Sequence, residues 1–144
     1  MRKVFADTLF WMAIVKPRDA YARAAQEARQ AVGPCLIVTT DEVLSEFLTA
    51  FSESGSKMRA RAVRTVESIL NRPSVKVLAQ SHDSFLRAID RFSNRADKEY
   101  SLADCSSMNA MDAENIRDVL TNDHHFVQEG YNVLIHTGRS ETAP

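Results

Sequence analysis

Four acidic residues, far apart along the chain, have neighbours that suit metal chemistry: Asp7, Glu46, Asp104 and Asp123. Asp7 and Asp123 each follow directly on a short apolar run that predicts a buried strand. Glu46 and Asp104 fall in helices that follow strands. Because the carboxyl ends of parallel strands face the ligand site of an open sheet, these places converge on one edge.

Carboxylates that converge on one site repel one another. Two of them about 4 Å apart repel by on the order of 4 kcal/mol at an effective dielectric near 20. A fold tolerates this by raising a pKa or by binding a cation. Oxygen ligands favour Mg²⁺ or Mn²⁺ over Zn²⁺. An ion of this kind can activate water for attack on a phosphodiester and stabilise the charge that develops there.

Each acid also has a purely structural interpretation. Asp7 could cap the helix that follows it, and Asp123 could cap a short final helix. Ser101 and Asp104 have the spacing of a capping box. Glu46 could be an ordinary acid at the edge of an apolar helix stripe, where it points along the packed face more than into water. Spacing alone leaves both interpretations open.

The elements that must position these acids alternate between strands and helices. Short apolar runs predict five strands, at residues 3–6, 35–38, 75–79, 119–121 and 132–135. Helical patterns cover residues 8–15, 18–32, 57–70 and 82–92, and two further helices begin at Thr39 and Ser101. Glu42 would complete a capping box with Thr39, and Pro17 separates the first two helices. Alternation predicts an α/β fold: a three-layer α/β/α sandwich around a mostly parallel five-stranded sheet.

Composition and charge indicate a globular protein of one domain. The 144 residues carry a net charge of −1, so no overall basic field marks the chain as a nucleic-acid binder. We expect one domain over residues 1–136 and a polar tail over 137–144. Two cysteines without metal-ligand spacing favour reduced thiols and a cytoplasmic location. No apolar run approaches the roughly 20 residues that span a bilayer.

Four segments, in order, resemble the PIN domain, and in particular the VapC-type ribonuclease toxins. They read VFADTLFWMA, VTTDEVLSEFLTAF, DKEYSLADCSSMNAM and LTNDHHFVQEGYNVL. The resemblance runs from about residue 4 to residue 134, and the last two segments are the specific ones.

The resemblance implies a PIN-like fold and an endoribonuclease that cuts RNA with metal-activated water. It implies that Asp7, Glu46, Asp104 and Asp123 are the catalytic acids and bind one or two Mg²⁺ or Mn²⁺ ions. Thr121 or Asn122 could hold a water or a phosphate oxygen. The resemblance also implies a homodimer and, for a toxin of a type II toxin–antitoxin pair, a small antitoxin that inserts into the groove of the site.

Three alternatives remain in view. A haloacid-dehalogenase-type phosphatase needs a second Asp two residues after Asp7, where this chain has Leu9. A receiver domain needs an Asp after the third strand, where this chain has Ala79, Gln80 and Ser81. A PIN module that binds RNA or a protein without cutting is opposed, but not excluded, by the intact acids.

Several other polar residues near these motifs have weaker assignments. Asp97 is interpreted as a loop or cap acid. His124 and His125 are interpreted as surface residues or as residues that contact the metal ligands without binding the ion, because sites for hard ions do not need imidazole. The basic helix with Lys57, Arg59, Arg61 and Arg64 is typical of a solvated face, although such residues could also contact RNA phosphates.

Overall fold

The computed structural model describes residues 1–16 and 18–137, and its centre is a sheet of five parallel strands. The strands are β1 (Lys3–Ala6), β2 (Leu36–Thr40), β3 (Val75–Leu78), β4 (Asp118–Leu120) and β5 (Asn132–Val133). Their order is β3-β2-β1-β4-β5, and each neighbouring pair is parallel. The predicted α/β class and five-stranded sheet are therefore confirmed, with a sheet that is parallel throughout.

Seven helices in the described part of the chain connect the strands. They are α1 (Thr8–Val15), α2 (Ala22–Val32), α3 (Asp41–Thr49), α4 (Ser56–Asn71), α5 (His82–Asn94), α6 (Leu102–Ala113) and α7 (His124–Gln128). From β1 the chain moves outward to β2 and β3, then returns to β4 on the other side of β1. Because crossovers between parallel strands are right-handed as a rule, this order predicts α1 to α4 on one face of the sheet and α5 to α7 on the other.

The core lies on both faces of β1, β2 and β4. Phe5, Val38 and Val119 are fully buried, as expected for parallel strands covered on both sides. Trp11 on α1 and Met108 on α6 fill the two spaces between helices and sheet. A sheet packed in this way is a rigid support for side chains that project from its carboxyl edge.

The second strand is longer at its end than the sequence predicts. Thr39 and Thr40 pair with Val77 and Leu78 of β3 instead of beginning the next helix. The predicted capping box of Thr39 and Glu42 is wrong, because the Thr39 hydroxyl donates within the sheet to the carbonyl oxygen of Ala6 at 2.9 Å. Thr40 caps α3 instead, accepting from the Val43 N–H at 3.1 Å.

Other boundaries shift by a few residues. Helix α2 begins at Ala22 and not at Arg18, because the Asp19 side chain accepts from the Tyr21 N–H and forms a turn there. Residue 17, where the break was predicted, lies outside the described residues, as does the predicted tail apart from Thr137. Among the helices that the structure describes, each is too short or too polar to cross a lipid bilayer.

A polar cluster joins the helices of the second face. Glu129 accepts hydrogen bonds from Arg91 at 3.1 Å, from Arg95 at 3.2 Å and from the Tyr100 hydroxyl at 2.9 Å. The Glu129 and Arg91 side chains are only 10% and 13% exposed. Partial burial acts to raise the pKa of Glu129, but the hydrogen bonds from Arg95, Tyr100 and Arg91 outweigh it and lower the pKa below its ordinary value.

We expect Glu129→Ala to lower the free energy of unfolding by about 2–3 kcal/mol, because it removes hydrogen bonds from three side chains and leaves the partly buried Arg91 with Asp112 as its one remaining acidic partner among the described residues. The lowered pKa means that Glu129 stabilises the fold above its unfolded pKa and loses this effect as the pH falls through its folded pKa. Urea unfolding near neutral pH measures the change. Asp97→Ala is the control, because Asp97 is 80% exposed and its removal should have little effect. Equal stability of the two variants would contradict the prediction.

Candidate metal centre

The site lies where the order of the sheet reverses. Strands β2 and β4 flank β1 on its two sides, so the crevice beside the carboxyl end of β1 is the place where open α/β sheets bind ligands. Asp7 follows β1 directly, and its backbone N–H donates to the carbonyl oxygen of Leu120 at the end of β4 at 3.4 Å. The carboxyl ends of both strands therefore open into the same crevice.

Asp7 occupies the floor of this crevice, 9% exposed. It stands at the start of α1, but its carboxylate makes no capping hydrogen bond to the helix. Its Oδ2 instead accepts from the Thr121 hydroxyl at 3.1 Å. Burial is the main cause that raises the pKa of Asp7, to about 7, with the charges of Asp104 and Glu46 also raising it. The Thr8 backbone N–H and the Thr121 hydroxyl act in the opposite direction.

Asp104 is held through one oxygen. Ser101 and Asp104 form the predicted capping box at the start of α6, so Asp104 Oδ2 accepts from the Ser101 N–H at 3.1 Å. The same oxygen lies 3.0 Å from His125 Nδ1. No hydrogen bond to Asp104 Oδ1 is formed by the described residues, so this second oxygen is available to a ligand.

Asp123 repeats this arrangement at the start of α7. Its Oδ1 accepts from the His125 N–H at 2.9 Å and lies 3.5 Å from His125 Nδ1. Its own N–H donates to the Thr121 hydroxyl at 3.2 Å, and that hydroxyl donates to Asp7. One threonine thus joins two of the predicted acids, while Asp123 Oδ2 accepts no hydrogen bond within the described chain.

Glu46 comes from α3, on the opposite side of Asp7 along the sheet. Its Oε1 accepts a hydrogen bond from the Thr8 hydroxyl. Contrary to the expectation that it points along a packed face, Glu46 is exposed. The Thr8 hydroxyl holds it beside the start of α1, close enough for its charge to raise the pKa of Asp7.

The donor set fits a hard divalent cation. Asp104, Asp123 and Glu46 each have one oxygen fixed by a protein donor and one that no described residue binds. The charges of Asp104 and Glu46 oppose the ionisation of the buried Asp7 carboxyl. A divalent cation would offset this repulsion and take the free oxygens as ligands.

His125 is the residue whose place in the site the sequence did not reveal. Among the described residues, Asp104, Asp123 and His125 form a group whose potential ligand atoms all lie within 4.8 Å of one another. Asp7 and Glu46 are outside that group. The His125 ring packs edge-on against Tyr100, which fixes its position. The segment LTNDHHF contains two adjacent histidines, and only the tertiary structure distinguishes them.

The remaining candidates lie apart from the acids or serve the fold. His124 is 77% exposed and its Nδ1 is 4.0 Å from Asp123. Asp97 is exposed and pairs with Lys98 at 3.7 Å. The amide nitrogen of Asn122 donates to the carbonyl oxygen of Ile135 at 2.6 Å, and this bond directs it away from the acids.

Asp7→Asn should stabilise the metal-free protein at neutral and alkaline pH. The pKa of Asp7 is about 7 in the fold against an ordinary 3.8, so the folded state holds this proton more tightly than the unfolded chain. The resulting stability is complete below the unfolded pKa and is lost as the pH rises through the folded one. The asparagine variant does not undergo this loss.

Urea unfolding in the presence of a chelator, as a function of pH, measures the effect. We expect the variant's advantage to grow between acidic and neutral pH and to reach roughly 2–4 kcal/mol. Asp97→Asn, which changes an exposed acid, should follow the wild type throughout. An advantage of Asp7→Asn that does not vary with pH would contradict the prediction.

Comparison with known proteins places this geometry in a family. Residues 4–129 match the model of the PIN domain family. Mycobacterium tuberculosis VapC20, described as a sarcin-ricin loop cleaving toxin, is 25% identical, with a TM-score of 0.77 over 89% of this chain and 95% of its own. Rickettsia felis VapBC2, solved bound to a DNA fragment from its promoter, is 14% identical, with a TM-score of 0.63 over 91% of this chain and 96% of that chain. A search of curated proteins found no match. The family match covers most of the sequence, and the chain therefore belongs to the PIN domain family.

Proposed function

We propose that this protein is a divalent-metal-dependent endoribonuclease that uses Mg²⁺ or Mn²⁺, and that it is the toxin of a type II toxin–antitoxin pair. The observation that carries the proposal is the cluster of acids at the carboxyl edge of the sheet, where Asp104, Asp123 and Glu46 each keep one unbound oxygen. Membership of the PIN family supports a nuclease. The similarity to VapC20, a sarcin-ricin loop cleaving toxin, supports RNA as the substrate.

In this proposal Asp7, Glu46, Asp104 and Asp123 hold the ion. When bound, a divalent ion of this kind supplies a more acidic water and positive charge close to the scissile phosphate. The protein's own contribution is to fix the carboxylates before the ion arrives. Thr121, Thr8 and the Ser101 N–H each hold one carboxylate oxygen, so little reorganisation is needed on binding.

Asp7 couples ion binding to pH. Because its pKa is about 7 in the metal-free fold, Asp7 must release a proton before it can act as a carboxylate ligand. Binding should therefore strengthen as the pH rises toward neutrality and level off above it.

The proposed partners are an antitoxin and a second copy of the chain. Helix α5 exposes Phe85, Leu86, Ile89 and Phe92 by 42–51%. Exposed apolar side chains grouped on one helix are typical of a surface that binds protein. The fold is shared with VapBC2, and this likeness in fold supports the proposal of an antitoxin partner. A cytoplasmic location belongs to the same proposal, because Cys35 and Cys105 are both free and buried.

Asp104→Asn should lower metal-dependent cleavage of a mixed RNA pool by at least about a hundredfold. The reason is that a bound metal ion lowers the activation barrier by several kcal/mol, and the variant removes one of its proposed carboxylate ligands. The asparagine side chain can still accept from the Ser101 N–H, so helix α6 should keep its cap. Gel analysis of the RNA, with Mn²⁺, with Mg²⁺ and with a chelator, measures the loss. Asp97→Asn is the matched control and should cleave like the wild type. Cleavage that is equal in wild type and Asp104→Asn, or absent from both, would instead favour a PIN module that binds without cutting.

His125→Phe should weaken binding of Mn²⁺ and Mg²⁺ by about tenfold to a hundredfold, as expected when a group that orients a ligating carboxylate is removed. Phenylalanine preserves the ring beside Tyr100 and removes the nitrogen 3.0 Å from Asp104. Isothermal titration calorimetry gives the affinities without any substrate. His124→Phe, one residue away and 77% exposed, should bind the ions like the wild type. Unchanged affinity in His125→Phe would remove His125 from the site.

A further inference from the structure

A groove between α1 and α4 carries positive charge and is separate from the candidate metal centre. Arg61, Arg64 and Arg72 form its rim, and all three are exposed. Trp11 and Val15 lie beneath them. We call this feature the arginine groove.

The charge of the arginine groove is uncompensated. None of the described residues that line it is acidic. The side chains of Arg61, Arg64 and Arg72 form no ion pair or hydrogen bond with any residue that the structure describes. Arg2, Arg23 and Arg87, by contrast, pair with Asp118, Glu27 and Asp83. Among the arginines that the structure describes, those without an ion pair or side-chain hydrogen bond are therefore concentrated on this surface, on a chain whose net charge is −1.

The groove continues around the end of α1. Val15 and Arg61 also border a second depression, together with Lys16 and Arg18. Among the described residues that border it, three are basic and one, Asp19, is acidic. Positive charge thus extends beyond the three rim arginines along the same surface.

An RNA substrate needs such a surface. Its phosphates are repelled by the four acids of the candidate metal centre, and the ion that offsets this repulsion acts only locally. Backbone binding by arginine is independent of sequence and supplies much of the affinity of proteins for nucleic acids. The buried ring of Trp11, 1% exposed, is not available to stack on a base, so the groove suits the backbone and not base recognition.

Helix α1 connects the groove to the metal centre. The Thr8 hydroxyl at the start of the helix binds Glu46. Trp11 and Val15 follow at i+3 and i+7, on the same face of the helix as Thr8. With a rise of about 1.5 Å per residue, Trp11 at the base of the groove lies roughly one helical turn along α1 from Thr8, which binds Glu46. The groove therefore runs along the helix that begins at the acids, on the side that an RNA strand leaving them would follow.

We infer that the arginine groove is a binding site for the phosphodiester backbone of the RNA substrate, beside the catalytic acids and separate from them. The inference rests on the proposed ribonuclease function and adds where the rest of the RNA lies. Arg61, Arg64 and Arg72 each contact a phosphate, and their contacts are lost together when the three are neutralised.

The test compares two triple variants with equal changes in net charge. One is Arg61→Gln, Arg64→Gln and Arg72→Gln. The control is Arg2→Gln, Arg23→Gln and Arg87→Gln, which removes three exposed arginines that already have acidic partners. Fluorescence anisotropy with a labelled single-stranded RNA of mixed sequence, in a chelator, gives affinity without cleavage, and circular dichroism checks the fold.

We expect the groove variant to bind RNA at least about tenfold more weakly than the control, and its slope of log K against log salt to fall by about 2. In cleavage with Mn²⁺, its KM should rise while kcat changes little. Equal affinities of the two variants, whether both unchanged or both reduced, would overturn the inference. Loss of affinity for an acidic peptide but not for RNA would also overturn it and would assign the groove to a protein partner.

Different experimental results would reject the proposed groove and the proposed ribonuclease function. Wild-type protein that cleaves RNA, with a groove variant of unchanged KM and affinity, would leave the function intact and reject the groove. Wild-type protein that binds RNA through the groove but cuts none with Mn²⁺ or Mg²⁺ would reject the nuclease and keep the groove. Wild-type protein that does not bind RNA would reject the groove.

Discussion

The candidate metal centre depends on holding like charges together at the carboxyl edge of the sheet while only one oxygen of each carboxylate is used by the described residues. Asp104, Asp123 and Glu46 are each held by one oxygen, through a backbone N–H or a threonine hydroxyl. Burial, followed by the charges of Asp104 and Glu46, raises the pKa of Asp7 to about 7. A buried carboxyl beside like charges reduces local stability, and a local cost of this kind is a common feature of functional sites.

Helix capping and cation binding are compatible uses of one carboxylate. Asp104 completes a capping box with Ser101, and Asp123 caps α7. The sequence presents these as competing interpretations, because a motif does not show how many oxygens a cap employs. A cap uses a single oxygen and fixes the side chain at the start of a helix, where backbone N–H groups also favour negative charge. The cap is thus part of how the site is built.

Charge is distributed unevenly over a chain that is almost neutral. The acids gather at the sheet edge, whereas Arg91 and Arg95 are bound by Glu129 within the helical layer. Arg61, Arg64 and Arg72 lie on the surface next to α1 and pair with none of the residues that the structure describes. A net charge of −1 therefore conceals a negative crevice beside a positive groove. That pairing is consistent with a site that needs both a cation and a polyanionic substrate, because each requires the opposite sign of potential.

The sequence by itself determined the α/β class, the five strands and the motifs that resemble the PIN domain, since these follow from local apolar periodicity and from residue order. It also indicated Asp7, Glu46, Asp104 and Asp123, whose role as metal ligands stays a prediction. Local patterns could not show that the Thr39 hydroxyl bonds within the sheet and that Thr40 forms the cap, or that His125 faces Asp104 while His124 faces solvent. Only the tertiary structure decided these points, because the contacts of Thr39 with Ala6 and of His125 with Asp104 join segments distant in sequence. Adjacent residues of the same type carry no local signal of which one makes such a contact, and the choice of Thr40 as the cap follows once Thr39 is held in the sheet.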